Sequence, residues 1–133
     1  MTALSTKQVG QDFLAQNKTK DGVVELSNGL QYRILKSGTG KTAGLKDKVT
    51  THYRGNFIDG KEFDSSYSRG QPATFGVNQV IAGWTQALQL MTEGSIWELF
   101  IPSELAYGSR GAGNVIPADS TLIFQIELLS VVS

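Results

Sequence analysis

From Val23 onward, apolar residues alternate with polar ones in four segments: 30–36, 48–55, 95–101 and 121–129. Successive side chains of an extended strand point to opposite faces, so this alternation predicts strands that each bury one face. In the first segment it places Leu30, Tyr32 and Ile34 together on the buried side. A chain with this pattern folds around a sheet.

One segment in the body of the chain has a helical period instead. In "NQVIAGWTQALQLM" (78–91) the large apolar side chains recur at helical spacing and predict a short amphipathic helix. Asp59-Gly60 lies between two extended runs, which is a hairpin signal. The predicted fold class is therefore α+β, a curved antiparallel sheet wrapped around one short helix.

The first 22 residues differ from the remainder in pattern. Val9 and Phe13 have the i, i+4 spacing of a helix within "STKQVGQDFLAQNK", but two apolar side chains do not stabilise so short a helix alone. The segment packs on something, frays, or is the end of a longer helix. We divide the chain into an N-terminal helical segment or linker, residues 1–22, and one domain, residues 23–133.

Composition narrows the function classes. The chain has no cysteine, which excludes disulfides and thiolate zinc sites. Twelve basic and twelve acidic residues, with no basic run, predict that nucleic acid is not a partner. No apolar stretch reaches the roughly 18 residues of a membrane span, so we expect no membrane contact by this chain. The first ten residues lack the apolar region of a signal peptide.

Three other motifs do not point to chemistry. "SGTGKT" (37–42) lacks the first glycine of a phosphate loop, since Leu35 stands there, and it joins two strands. "YGSRGAG" (107–113) has glycines out of register for a dinucleotide site and is either a plain connection or the rim of a binding site. His52 has no accompanying nucleophile motif or metal-ligand cluster, and we interpret it as structural or solvated.

Aromatic residues are spread over nearly every predicted element, and four polar groups accompany them. The aromatic residues are Tyr53, Phe63, Phe75, Trp84, Tyr107 and Phe124. The polar groups are the hydroxyls of Tyr53 and Tyr107 and the side chains of Asp64 and Arg69. They form either ordinary core or an apolar pocket with a few convergent polar groups. Asp64 is then a catalytic acid, half of a metal site, or a polar fixture in the pocket wall.

Three long motifs, in order and correctly spaced, carry a family resemblance. They are "THYRGNFIDGKEFDSS", "QVIAGWTQAL" and "IPSELAYGSRGAGNVIPADSTLIFQIELLSV". Together they resemble the FKBP-type peptidyl-prolyl cis–trans isomerases over roughly residues 28–133. "FLAQNKTKDGVVELSNGLQY" and "GQPATF" are similar to the bacterial macrophage-infectivity-potentiator subgroup.

The resemblance implies a five- or six-stranded antiparallel sheet curled around one helix, and a proline pocket. The matching pocket positions are Tyr53, Phe63, Asp64, Val80, Ile81, Trp84, Tyr107 and Phe124. In the family the tryptophan forms the floor, and the groups matching the Ile81 N–H and the Tyr107 hydroxyl bond ligand carbonyls. Ala73, Ala112 and Gly113 replace bulkier residues of many members, which predicts a barer rim.

Rotation about a prolyl peptide bond breaks no covalent bond, so the expected activity needs no cofactor and no metal. We place Asp64, Tyr53 and Tyr107 as the catalytic candidates, with Asp64 paired to Tyr53 and Arg69 as a polar fixture in preference to a proton donor. The alternative function is a chaperone-like module that holds proline-containing segments with little turnover.

The resemblance also implies partners and a location. The expected partners are proline-containing polypeptides and macrolide inhibitors of the rapamycin type. We expect the chain as given to be a monomer and a full-length protein to be homodimeric. An exported bacterial protein of this subgroup would reside in the periplasm, in the outer membrane or at the cell surface.

Overall fold

The computed structural model describes residues 5–132, in which seven strands form one antiparallel sheet. The strands are β1 (Val23–Glu25), β2 (Gln31–Lys36), β3 (Lys48–Phe57), β4 (Glu62–Ser65), β5 (Ala73–Gly76), β6 (Ile96–Ile101) and β7 (Leu122–Val132). The α-helices are α1 (Thr6–Asn17), α2 (Ser66–Arg69) and α3 (Ala82–Leu88). Single 3₁₀ turns lie at Val77–Gln79, Ser103–Leu105 and Gly108–Arg110. The α+β class is confirmed.

The strand order is β1-β2-β6-β7-β3-β4, and β5 also pairs with β3. This path holds six strands. With β5 the sheet has seven strands, one more than the five or six that the resemblance implied. Its place follows from the length of β3, which has ten residues. One part of β3, Lys48–Thr51, pairs with β5, and a later part, Arg54–Asn56, pairs with β4.

The predicted hairpin at Asp59-Gly60 connects β3 to β4 and is confirmed. The Phe57 N–H donates to the Lys61 carbonyl at 2.9 Å, and the Asp59 carboxylate accepts from the Lys61 N–H at 2.9 Å. Gly60 has φ of 91°, a left-handed conformation that a residue with a Cβ rarely adopts. The turn brings Phe63 and Asp64 back alongside β3.

Alternation sets the core as predicted on β3, β6 and β7, where Tyr53, Leu99 and Phe124 are buried. On β2 the prediction was wrong in part. Ile34 is 48% exposed, whereas Gln31, on the opposite face of the same strand, is completely buried. Gln31 is buried because α1 covers it. Ile34 lies beyond Arg33, the last residue of β2 that pairs with β1, and is left exposed.

The helix in the body of the chain is shorter than the predicted segment 78–91. It runs only over α3, because Val80 and Ile81 are extended, with ψ of 175° and 151°. The Thr85 hydroxyl donates to the Val77 carbonyl at 2.7 Å and ties the helix to the preceding 3₁₀ turn. Gly83, Trp84, Ala87 and Leu88 are buried, so α3 packs on the sheet as the amphipathic pattern indicated.

The N-terminal helix is also confirmed. α1 begins after Ser5, whose hydroxyl accepts a hydrogen bond from the Gln8 N–H at 3.1 Å. Its Phe13 ring lies 6.1 Å from that of Phe100. Phe100 and Ile101 are adjacent on β6 and therefore face opposite sides, and Ile101 lies next to Gly83 of α3. The two helices thus pack on opposite faces of the sheet.

Buried amides and a close backbone approach hold α1 in place. Asn17 donates to the Gln31 side chain at 2.9 Å, and Gln31 donates to the Leu14 carbonyl at 2.9 Å. A methyl group on Gly10 would overlap the Thr121 side chain, so the glycine permits the contact. α1 therefore packs on the rest of the chain, as one of the three possibilities for this segment held. The domain division at residue 22 stays a prediction.

None of the helices in residues 5–132 combines the length and the apolar character required for a membrane crossing.

Candidate active site

A cleft of about 440 Å³ opens between α3 and the sheet. Its lining residues are Tyr53, Phe63, Asp64, Phe75, Gln79, Val80, Ile81, Trp84, Tyr107 and Phe124. The volume lies within the range of small-ligand sites, roughly 300–1,000 Å³. Nine of the ten predicted pocket residues line this cleft; the tenth, Arg69, does not line it but bonds to two that do.

Trp84 stands at the centre of the apolar surface. The rings of Tyr53, Phe75 and Phe124 meet its indole edge-on, at centroid distances of 5.3, 5.5 and 5.3 Å. Such perpendicular contacts are favourable because the electropositive ring edge faces the electron-rich ring face. Trp84 is only 3% exposed, so this packing fixes the indole as a rigid surface.

The wall formed by β4 and β7 depends on a glycine in β3. Phe63 and Phe124 meet at a ring distance of 5.6 Å and an angle of 88°. A Cβ on Gly55 would lie 2.7 Å from an atom of each ring. The missing side chain therefore lets both aromatic rings lie against the β3 backbone and reach the cleft.

A closed set of hydrogen bonds joins Tyr53, Asp64 and Arg69. The Tyr53 hydroxyl donates to Asp64 Oδ2 at 2.7 Å, and Arg69 donates to Asp64 Oδ1 at 2.6 Å. Arg69 also donates to the Tyr53 hydroxyl oxygen at 2.8 Å. The Ser65 N–H adds a bond of 2.9 Å to Asp64. Each oxygen of the carboxylate thus has a partner, as a partly buried charge requires.

The short helix α2 brings Arg69 to this network. The Ser65 hydroxyl caps the helix by accepting from the Ser68 N–H at 3.2 Å. Ser66 is buried, and its hydroxyl oxygen accepts from the Tyr53 N–H at 2.7 Å. These bonds hold α2 against the strand that carries Tyr53. Arg69, five residues after Asp64, therefore lies beside the Asp64 carboxylate.

His52 lies outside the cleft. Its Nδ1 is 2.9 Å from the Ser66 hydroxyl, and its ring stacks on Tyr67 at 4.7 Å. The structural interpretation of His52 is therefore confirmed.

The network fixes the charge state of its members. Burial alone would raise the pKa of Asp64, but the hydrogen bonds from Tyr53 and Arg69 outweigh it, and the pKa is lowered. Burial, followed by the bond to Asp64, raises the pKa of Tyr53 above its ordinary value. At neutral pH the site therefore holds a carboxylate and a neutral phenol. An ionised Asp64 has no proton to donate.

Two hydrogen-bond donors of the cleft residues have no protein partner among residues 5–132. The Ile81 N–H has no acceptor among residues 5–132, and it lies in the extended segment that precedes α3. The Tyr107 hydroxyl likewise has no protein partner in this part of the chain, and the residue is 39% exposed. Both residues line the cleft.

The long loop after Tyr107 is ordered by its own hydrogen bonds. The Asp119 N–H donates to the Gly108 carbonyl, and the Ala112 N–H to the Ile116 carbonyl. Ala112 packs against the core, and neither it nor Ala73 lines the cleft. Tyr107 is thus the member of this loop that reaches the site.

Sequence reasoning missed Gln79. It lies in the 3₁₀ turn between β5 and α3 and lines the cleft beside Val80. In the predicted helix 78–91 it was one polar position among several, with nothing to mark it. Its position immediately before the Val80-Ile81 pair was the available signal.

Comparison with known families and structures agrees with this geometry. The family model of FKBP-type peptidyl-prolyl cis-trans isomerases matches residues 39–129, more than half of the chain. The chain belongs to the FKBP-type peptidyl-prolyl cis-trans isomerase family. A second model, the domain amino terminal to FKBP-type peptidyl-prolyl isomerase, matches residues 2–34. Members of this family bind proline-containing peptides.

Curated relatives are longer than this FKBP-type chain. Outer membrane protein MIP of Legionella longbeachae is 54% identical over 129 residues, which are 97% of this chain and 55% of the relative. The FKBP-type 22 kDa peptidyl-prolyl cis-trans isomerase of Escherichia coli is 52% identical over 92% of this chain and 59% of its own length. The chain thus spans a little over half of these relatives.

Solved structures share the FKBP-type fold. FkpA from Escherichia coli superposes with a TM-score of 0.92 at 41% identity, over 96% of this chain and 59% of that protein. A peptidyl-prolyl cis-trans isomerase from Pseudomonas syringae superposes with a TM-score of 0.90 at 40% identity, over the full length of both chains.

Proposed function

We propose that this chain accelerates cis–trans isomerisation of peptide bonds that precede proline. The observation that carries the proposal is the rigid apolar cleft around Trp84, with the Tyr53–Asp64–Arg69 network at its wall. The cleft has the size and apolar lining for a prolyl ring. Its polar groups are few and already fixed in place, so they need no reorganisation when a peptide binds.

The reaction is a rotation. The amide C–N bond has partial double-bond character, which gives a barrier of about 18–20 kcal/mol. The planar amide separates charge between nitrogen and oxygen, and water stabilises that separation. Phe63, Trp84 and Phe124 exclude water, which disfavours the planar amide relative to the twisted one. An acceleration of 10⁴ needs roughly 5.5 kcal/mol of such preference.

Three polar groups complete the proposed machinery. Ile81 N–H and the Tyr107 hydroxyl bind carbonyl groups of the peptide and orient the prolyl bond. Asp64, held by Tyr53 and Arg69, acts as a fixed negative charge beside the rotating carbonyl and not as a proton donor, in keeping with its lowered pKa. Tyr53, a catalytic candidate from the sequence, bonds to Asp64 as Arg69 does, so in this proposal both act through Asp64 as positioning residues.

The test is an exchange measurement by NMR, or a protease-coupled assay, on a short peptide with one X–Pro bond. We expect an interconversion rate that rises in proportion to protein concentration. A peptide that binds but interconverts at the uncatalysed rate would reject the isomerase and support the chaperone-like module.

We further propose that rapamycin-type macrolides bind the same cleft. The support is the combination of an apolar floor with two free donors, at Ile81 and Tyr107. In a titration, rapamycin should displace the prolyl peptide and abolish catalysis at one equivalent. Simultaneous binding of both would place the macrolide elsewhere.

We infer that this chain is monomeric and that its full-length protein is exported and dimeric. Phe13 of α1 packs against Phe100 of the sheet and Leu14 is half-buried, which leaves Val9, 39% exposed, as a poor basis for a dimer interface. The name of the Legionella relative supports an outer-membrane, periplasmic or surface location. Light scattering at micromolar concentration should give one chain, and cell fractionation should find the full protein outside the cytoplasm.

A further inference from the structure

Gln79 adds a polar group to the cleft on a different wall from the Tyr53–Asp64–Arg69 network. It lies in the turn between β5 and α3, immediately before the extended residues Val80 and Ile81. Its side chain is exposed to solvent and lines the cleft. The proposed mechanism gives it no role.

The side chain of Gln79 rests on a glycine. If Gly76 had a Cβ, that atom would lie 2.5 Å from Gln79 Oε1, 2.9 Å from Cδ and 3.1 Å from Cγ. Gly76 has φ of −72° and ψ of 134°, a conformation that any residue adopts. What this position contributes is therefore room, which places the carboxamide over the Gly76 backbone and at the cleft.

The carboxamide has free hydrogen-bonding capacity. Neither its oxygen nor its nitrogen has a protein partner among residues 5–132. A glutamine amide offers two donors and one acceptor, which matches the N–H and C=O of one peptide group. The free N–H of Ile81 lies two residues further along the same segment. These groups form an edge along which an extended polypeptide can bond.

We propose that the Gln79 carboxamide binds a peptide group of the substrate next to the proline and thereby determines affinity for extended polypeptides. The proposal rests on the proposed function, because it requires a prolyl ring in the cleft. Gln79 is then a specificity-determining residue and Gly76 its positioning residue. Asp64 and Tyr107 remain the groups that act on the rotating bond.

A mutant cycle tests this. Gln79→Ala should raise the Kd of a proline-containing hexapeptide about three- to tenfold, the worth of one neutral hydrogen bond, with the same catalysed rate at saturation. Gly76→Ala should displace the side chain and have the same effect, and the double variant should be no worse than either single one. The matched control is Asn78→Ala, an exposed neighbour outside the cleft lining.

A charge exchange gives an independent readout. Gln79→Glu should bind a hexapeptide with lysine beside the proline more tightly than one with glutamate there. Asn78→Glu should change the ratio of these two Kd values less. Unchanged Kd in Gln79→Ala, or an unchanged ratio in Gln79→Glu, would overturn the proposal. A lower Tm without a change of Kd would make Gln79 merely structural.

The outcomes separate this proposal from the proposed function. If the unaltered chain binds the peptide without accelerating rotation, the isomerase fails and the Kd cycle still decides the role of Gln79. If the unaltered chain accelerates rotation and the variants bind as it does, the role of Gln79 fails alone. If the unaltered chain binds no peptide, both are rejected.

Discussion

Each face of the sheet packs against one helix, and the two contacts differ in kind. On one face α3 holds Trp84 among aromatic rings at distances of 5.3–5.5 Å, and a cleft of about 440 Å³ stays open beside it. On the other face α1 approaches so closely that Gly10 has no room for a methyl group beside Thr121. Its contact is completed by the buried amide pair of Asn17 and Gln31.

The difference shows what each kind of packing does. Large, rigid aromatic rings keep their arrangement even where one side of the surface is exposed to solvent. A binding site needs a surface that is already formed in this way. Small residues and paired amides make a close contact in which the buried side chains of Asn17 and Gln31 hydrogen-bond to each other. Mutations on the α3 face should therefore change function, and mutations on the α1 face should change stability alone.

The largest expected effect comes from a matched pair of substitutions, one for each face. Trp84→Leu and Phe100→Leu should each lower the free energy of unfolding by about 1–3 kcal/mol, since both shrink buried aromatic residues. Trp84→Leu should also abolish most of the isomerase activity per folded molecule, whereas Phe100→Leu should retain it. Equal loss of activity in both variants would break the comparison.

Asn17→Ala tests the α1 contact by itself. It leaves the buried Gln31 oxygen without its donor and should cost about 1–3 kcal/mol of stability. Denaturant unfolding measures the cost, and Gln16→Ala on the exposed side of the same helix is the control. Peptide activity should not change, and a change would mean that α1 is coupled to the cleft.

On the cleft side, Asp64→Asn removes a charge but keeps the shape of the side chain. We expect the isomerase rate to fall by about tenfold, equivalent to roughly 1.4 kcal/mol in the barrier. Full activity would show that the charge is irrelevant, and complete loss would favour acid catalysis.

The pH profile distinguishes the same two roles. The pKa of Asp64 is lowered in the folded state, so its contribution to stability is complete above the unfolded value of about 3.9 and is lost as the pH falls through the folded value. The pKa of Tyr53 is raised, so its contribution is complete below the unfolded value of about 10 and is lost above it. Neither group should produce a step in activity between pH 5 and 8. A titration in that range, absent in Asp64→Asn, would support proton donation.

The smallest expected effect is that of Tyr107→Phe, which removes one hydroxyl from the cleft. Ligand binding should weaken by about 0.5–1.5 kcal/mol, as for one neutral hydrogen bond, with stability unchanged because Tyr107 is exposed. Calorimetric titration with a prolyl peptide measures it. Unchanged affinity would remove Tyr107 from the site.

Local chemistry was sufficient where a few neighbouring residues decide the structure. The alternation on β3, β6 and β7 and the Asp59-Gly60 turn were readable because each depends on periodicity or on one backbone conformation. Nine cleft residues were predicted from the positions of aromatic residues and from the long family motifs. Both can be recognised in the sequence without the structure. Arg69 was readable as a charge close to Asp64.

The remainder depended on contacts between distant segments. Gln31 is buried and Ile34 exposed because α1 covers one position of β2 and nothing covers the other. Helical spacing in 78–91 did not reveal that Val80 and Ile81 are extended, or that the Ile81 N–H has no acceptor among residues 5–132. Even the local contact of Gln79 with Gly76, three residues earlier, became visible only once the 3₁₀ turn between them was known. The sequence alone determined which faces are apolar, and the tertiary structure decided which of those faces are covered and which stay open.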